Sequence, residues 1–147
     1  MTIKSVFENN HEIPRLHTCL GANISPPFTF EDIPEGTKSL VLIVEDMNAT
    51  PAPWTHWLVF NISPNTKTVE EDHIPAGGTE GLANNHSFGY EGPCPKYFEG
   101  THHYRFSLFA LDMQLDLVAR SEKDDVKKAM QGHVIEETTL IGLCTSA

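Results

Sequence analysis

The sequence predicts a mainly β domain, and three features lead to that reading. The runs "SLVLIVE" (39–45), "HWLVFNI" (56–62) and "YRFSLFALD" (104–112) are short and rich in β-branched and aromatic residues. Ten prolines and ten glycines punctuate a chain of 147 residues, which implies many short elements joined by turns. Only the segment 121–134 repeats apolar residues at helical spacing. The length fits one domain over 1–147. Sheets with a single late helix fit an antiparallel or mixed β-sandwich.

The elements follow in order. "SVFE" (5–8) and "HEI" (11–13) flank the turn signal Asn9–Asn10 and predict a hairpin. Residues 39–45, after the turn "PEG", form a continuous apolar run that suits a central strand buried on both faces. Residues 56–62 read as a second such strand, ended by "SPNT". From 63 to 103 Gly, Pro, Asn and His dominate and few regular elements are expected, although Phe88, Tyr90, Tyr97 and Phe98 argue for order. In 104–112, Tyr104, Phe106, Leu108 and Ala110 share one side of the pleat. Ser121 with Asp124 is a variant capping box, and Val126, Ala129, Met130, His133 and Val134 continue at helical spacing. Gly132 weakens that helix or marks a close approach to another backbone. "TTLIGL" (138–143) is the last strand.

The formal charge of −10 makes nucleic acid and anionic membrane poor partners, and any bound anion needs a local positive site. No apolar run approaches a membrane span and residues 1–20 hold no signal sequence, so a cytoplasmic protein is expected. Cys19, Cys94 and Cys144 are odd in number, which favours reduced thiols. A single Cys19–Cys94 bridge stays open for an exported chain.

Titratable residues collect at strand ends: Asp46 with His56, "THHYRF" (101–106), and the loop "GYEGPCPK" (89–96). A carboxylate beside an imidazole fixes its tautomer. Two histidines, a tyrosine hydroxyl and loop N–H groups suit a phosphate or carboxylate. Alternate residues of a strand face opposite sides, so only one of His102 and His103 reaches a given pocket, and Arg105 points away from Tyr104 into water. Trp54 and Trp57 read as core or pocket wall. Nucleotide-binding, hydrolase-elbow and zinc-protease motifs are all absent. Asp46, His56 and His102 lack metal-ligand spacing, and neither metal nor cofactor is expected.

In this order, "NISPPFTF" (23–30), "IPEGTKSLVLIVED" (33–46), "THW" (55–57), "GPCP" (92–95), "HHYRFSLFALD" (102–112) and "MQGHV" (130–134) resemble the phosphatidylethanolamine-binding protein family. The similarity is greatest to its bacterial and archaeal Raf-kinase-inhibitor-like branch. It implies a β-sandwich of antiparallel sheets with a small helical arm near the C-terminus. It also implies a small anion pocket, with Asp46, His56, His102 and Tyr104 matching its residues and Gly92, Pro93 and Pro95 its rim. Trp54 and Tyr90 complete the expected lining. Phosphate, phosphoethanolamine or a phosphorylated side chain is the implied ligand, and regulation of kinase signalling the implied role. A protein client and a homodimer are further implied partners. A hydrolase using the same Asp/His pocket is the alternative. The chain departs from the family at Met47, Asn48 and Lys96, and Lys96 is expected to face water. It stops soon after its last strand, which implies a pocket without the covering C-terminal helix of eukaryotic members.

Overall fold

The computed structural model describes residues 1–146. Nine strands and one helix follow one another: β1 (Thr2–Lys4), β2 (His11–Glu12), β3 (Phe28–Glu31), β4 (Ser39–Asp46), β5 (Trp54–Ile62), β6 (Thr68–Val69), β7 (Thr79–Glu80), β8 (Thr101–Leu111), α1 (Lys123–Met130) and β9 (Val134–Thr145). A small sheet has the order β1-β3-β6 and a large one the order β2-β9-β8-β4-β5-β7.

Continuous apolar runs become central strands because the large sheet is covered on both faces. Every residue of β4 is buried. Leu40, Leu42 and Val44 of β4, with Trp57, Phe106 and Leu108, meet Ile3, Phe28, Phe30 and Val69 of the small sheet. Val41 and Ile43, on the opposite face, pack with Leu58, Phe60, Val126 and Met130. The helix thus covers one face with a four-residue apolar spacing, and the small sheet covers the other.

Three local expectations are corrected. The N-terminal hairpin does not form: β1 pairs antiparallel with β3, whereas β2 pairs parallel with β9. The Asn9–Asn10 turn itself forms, with His11 N–H donated to the Glu8 carbonyl at 3.0 Å. Phe7, however, is buried in the inter-sheet core, and the flanking segments pair with other strands rather than with each other. The capping box lies one residue later than expected, with Glu122 as N-cap and its N–H donated to Asp125 at 2.9 Å. The helix also ends at Met130: Gly132, at φ +80°, has open space around it and turns the chain, and Val134 already belongs to β9.

Arg105 is not a solvated side chain. It faces away from Tyr104, but its Nη2 reaches the buried Glu45 Oε1 at 3.2 Å, while Lys123 at the start of α1 reaches Oε2 at 2.9 Å. Burial pushes the Glu45 carboxyl up, and the two cations outweigh it and hold the group below its ordinary value.

Candidate functional site

The site begins where β4, β5 and β8 end side by side. Asp46 pairs with Trp54 on one neighbouring strand and with Tyr104 on the other, which places the three residues in one row. Between the pairs Val44↔Trp57 and Glu45↔Thr55, β5 carries one extra residue, His56. Such a bulge re-aims side chains. His56 joins the same recess as Trp54, and Thr55 is left buried on the opposite side.

The recess has a volume of ≈ 600 Å³ and brings together Asp46, Trp54, His56, Gly92, His102 and Tyr104. A larger groove of ≈ 720 Å³ runs along Thr29–Asp32 and Pro64–Thr68, but no histidine reaches it.

Both imidazoles are held through Nδ1. His102 Nδ1–H donates to Asp46 Oδ2 at 2.7 Å, and Phe98 stacks on its ring with centroids 3.7 Å apart. His56 Nδ1–H donates to the Glu91 carbonyl at 2.6 Å, and its ring meets Tyr104 edge-on at 5.2 Å. A carbonyl only accepts, so His56 carries its proton on Nδ1 and presents Nε2 as the remaining nitrogen. Burial lowers the His56 pKa, outweighing the opposing effects of the Glu91 carbonyl and the Asp46 charge. Burial, and next the Asp46 charge, push the Tyr104 hydroxyl far up, so it stays a neutral donor. Asp46 is oriented in turn, its Oδ1 accepting the Asn48 N–H at 2.9 Å.

Asn48 has a structural task. Its Oδ1 accepts the His103 backbone N–H at 2.7 Å, which fastens the Pro-rich turn to the start of β8. That turn contains the cis peptide Thr50–Pro51. His103 points out of the recess, and Lys96 is exposed.

The loop 90–95 forms the remaining wall, and its backing comes from residues 17–23. Gly92 N–H donates to Asn23 Oδ1 at 2.8 Å and Cys19 N–H to the Pro93 carbonyl at 3.0 Å. A Cβ on Gly92 would lie 2.0 Å from the His17 carbonyl oxygen, so only glycine fits. Cys19 and Cys94 form a disulfide with Cα atoms 5.1 Å apart, which overturns the expectation of reduced thiols. The cause is tertiary: two loops 75 residues apart in sequence lie against each other. Cys144 is the free cysteine among the described residues, buried, with burial pushing its thiol up to about 11.

Not every expected lining residue reaches the recess. Tyr90 lies behind the wall, where its hydroxyl donates to the His17 carbonyl at 2.7 Å and its ring packs on Trp57. Pro93 and Pro95 are buried in the loop and do not line the cavity. Sequence reasoning missed Phe98 and the Glu91 carbonyl. An aromatic residue inside a Gly/Pro-rich loop was the available signal for Phe98. A backbone acceptor leaves none. Among the described residues, no three His, Cys, Asp or Glu side chains are grouped to hold a metal ion, and no helix is long and apolar enough to cross a membrane.

Two sheets packed face to face, one helix, and a recess at the shared strand ends define the class: a β-sandwich of the phosphatidylethanolamine-binding kind. The family model for phosphatidylethanolamine-binding protein matches residues 3–145, and the chain belongs to that family. A UPF0098 protein of Methanothermobacter thermautotrophicus is 43% identical over 97% of this chain and 97% of its own. One from Pyrococcus horikoshii is 40% identical over 97% of this chain and 75% of its own. Among solved structures, the family homologue CT736 from Chlamydia trachomatis superimposes with a TM-score of 0.92 at 35% identity, covering 99% of this chain and 97% of that one. YbcL of E. coli, described as a member of the mammalian family, gives 0.89 at 26% identity, covering 99% and 98%.

Proposed function

We propose that the recess binds a small anion, a phosphate monoester or phosphoethanolamine-type group, through His56 Nε2, His102 Nε2 and the Tyr104 hydroxyl. The observation that supports this reading is the tethering of both imidazoles by Nδ1. Each ring then has one nitrogen to offer, in a fixed direction, beside a neutral phenol. Asp46 orients His102 and is itself engaged at both oxygens. Cys94 lines the recess but is bonded to Cys19, so it offers no thiol nucleophile. Binding without turnover is the function this favours. In a regulatory setting the bound group is a phosphorylated side chain of a client, and masking it is how such a protein restrains kinase signalling.

Calorimetric titration of phosphoethanolamine and inorganic phosphate into wild type, His56→Ala and His102→Ala tests the proposal. Each substitution is expected to weaken binding at least about tenfold, the loss of one charge-assisted hydrogen bond. Equal affinity in all three proteins would reject it. Turnover of an aryl ester, lost in His102→Ala, would reassign the recess to hydrolysis.

A further inference from the structure

The two long edges of the large sheet are treated differently. On β5 the outer edge is filled: β7 pairs with Val59 and Phe60, and the chain beyond it donates Gly81 N–H to Leu58, Asn84 N–H to Thr55 and Glu91 N–H to His56. On β9 the cover stops early. β2 pairs with Gly142 and Leu143, and Asn10 N–H and Asn9 Oδ1 take the carbonyl and N–H of Ile141.

Backbone groups of a strand alternate in direction. Ile141 and Leu143 turn theirs away from β8, so Thr139 and Glu137 do the same. Neither has a backbone partner on that side among the described residues. The strand is long, is paired with β8 without interruption from Glu136 to Thr145, has a register shift at Ile135, and keeps an open stretch at 135–139. Val134 and Ile135, at its start, are 43% and 41% exposed. An open edge of this kind is a template for another strand.

The charges select the partner. Glu136 is taken by the N-terminal ammonium of Met1, whereas Glu137 is exposed and has no ion-pair partner among the described residues. A second copy would set two Glu137 carboxylates close together between chains that each carry a formal charge of −10. A cationic strand meets complementary charge instead. We infer that the open half of β9, Ile135–Thr139, is a docking edge for an extended, lysine- or arginine-bearing segment of a partner protein, added in line with β2 as a further strand. Main-chain hydrogen bonds to Glu137 and Thr139 supply the affinity, Glu137 favours a basic residue opposite it, and Ile135 supplies an apolar contact. This edge is independent of the anion recess.

The test is amide NMR on the full chain with an acetylated and amidated peptide, Lys-Val-Thr-Val-Lys-Thr-Lys, as the probe. A version with proline at alternate positions, which cannot pair, is the control. In the free protein, the Glu137 and Thr139 amide protons should exchange at least about tenfold faster than those of Thr138 and Leu140, which face β8. The peptide should slow them and concentrate its shifts on 135–139, and Glu137→Lys, which leaves the backbone intact, should weaken binding at least about tenfold. Equal protection of all four amides in the free protein would overturn the inference. So would shifts elsewhere, equal binding of the proline peptide, or unchanged affinity in Glu137→Lys. A dimeric mass in ultracentrifugation that Glu137→Lys abolishes would give the edge to a second copy and overturn it too.

Discussion

Binding of an anion in the recess should take up a proton, and the reason lies in one hydrogen bond. His56 gives its Nδ1 proton to the Glu91 carbonyl, so the neutral ring presents a lone pair at Nε2, which repels an anion. Protonating Nε2 converts it into a donor. Burial lowers the pKa of this ring in the free protein, so around neutral pH it is uncharged before ligand arrives. The Glu91 carbonyl and the Asp46 and Glu91 charges act against that burial without overcoming it. Above the pKa of the free ring and below that of the complex, this ring takes up one proton with each anion. Affinity then falls about tenfold per pH unit as the pH rises, or about 1.4 kcal/mol per unit. Sulfate is the suitable probe, because it does not titrate between about pH 6 and pH 8 and leaves the protein as the source of any slope. Calorimetry at several pH values, in buffers of different ionisation enthalpy, measures the affinity slope and the protons taken up independently. His56→Gln should bind more weakly and lose the His56 share of the slope. A flat affinity profile, or an unchanged slope in His56→Gln, would refute the assignment of this proton to His56.

Two further outcomes are expected. Glu45→Gln strips the carboxylate from Arg105 and Lys123, whose side chains are 35% and 24% exposed against 3% for Glu45. Their access to water limits the loss to about 2 kcal/mol. Because the native Glu45 carboxyl lies below its ordinary value of 4.5, the trio stabilises the fold above that pH and loses its effect as the pH falls through the native value. Urea midpoints at neutral and acid pH should therefore show a shallower acid decline in Glu45→Gln, and parallel declines would contradict this. The Cys19–Cys94 bond spans a sequence separation of 75. Closing a loop of that size is worth about 4 kcal/mol through chain entropy. The Cys19→Ser/Cys94→Ser double variant and the reduced wild type should unfold at the same lowered denaturant midpoint, and a midpoint equal to the oxidised protein would show that the bond contributes nothing.

The sequence by itself determined the central strands and the polar pair at their ends. A run such as 39–45 has no polar face, so it must be covered on both sides, and the structure covers it with the small sheet and the helix. Strand alternation placed His102 with Tyr104 and turned His103 and Arg105 away, and the family resemblance matched Asp46 and His56 to the same recess. Tertiary structure decided the rest, because the rest depends on contacts between distant segments. The bulge at His56 is a count of residues against a partner strand, which local pattern does not encode. Phe7 broke the expected hairpin because a core position for its ring exists only once both sheets are packed. Tyr90, Pro93 and Pro95 share the loop that carries Gly92, but the chain at 17–23 binds that loop from behind and sets which side faces the cavity. The same contact brings Cys19 to Cys94, so which two of the three cysteines pair follows from packing rather than from their number.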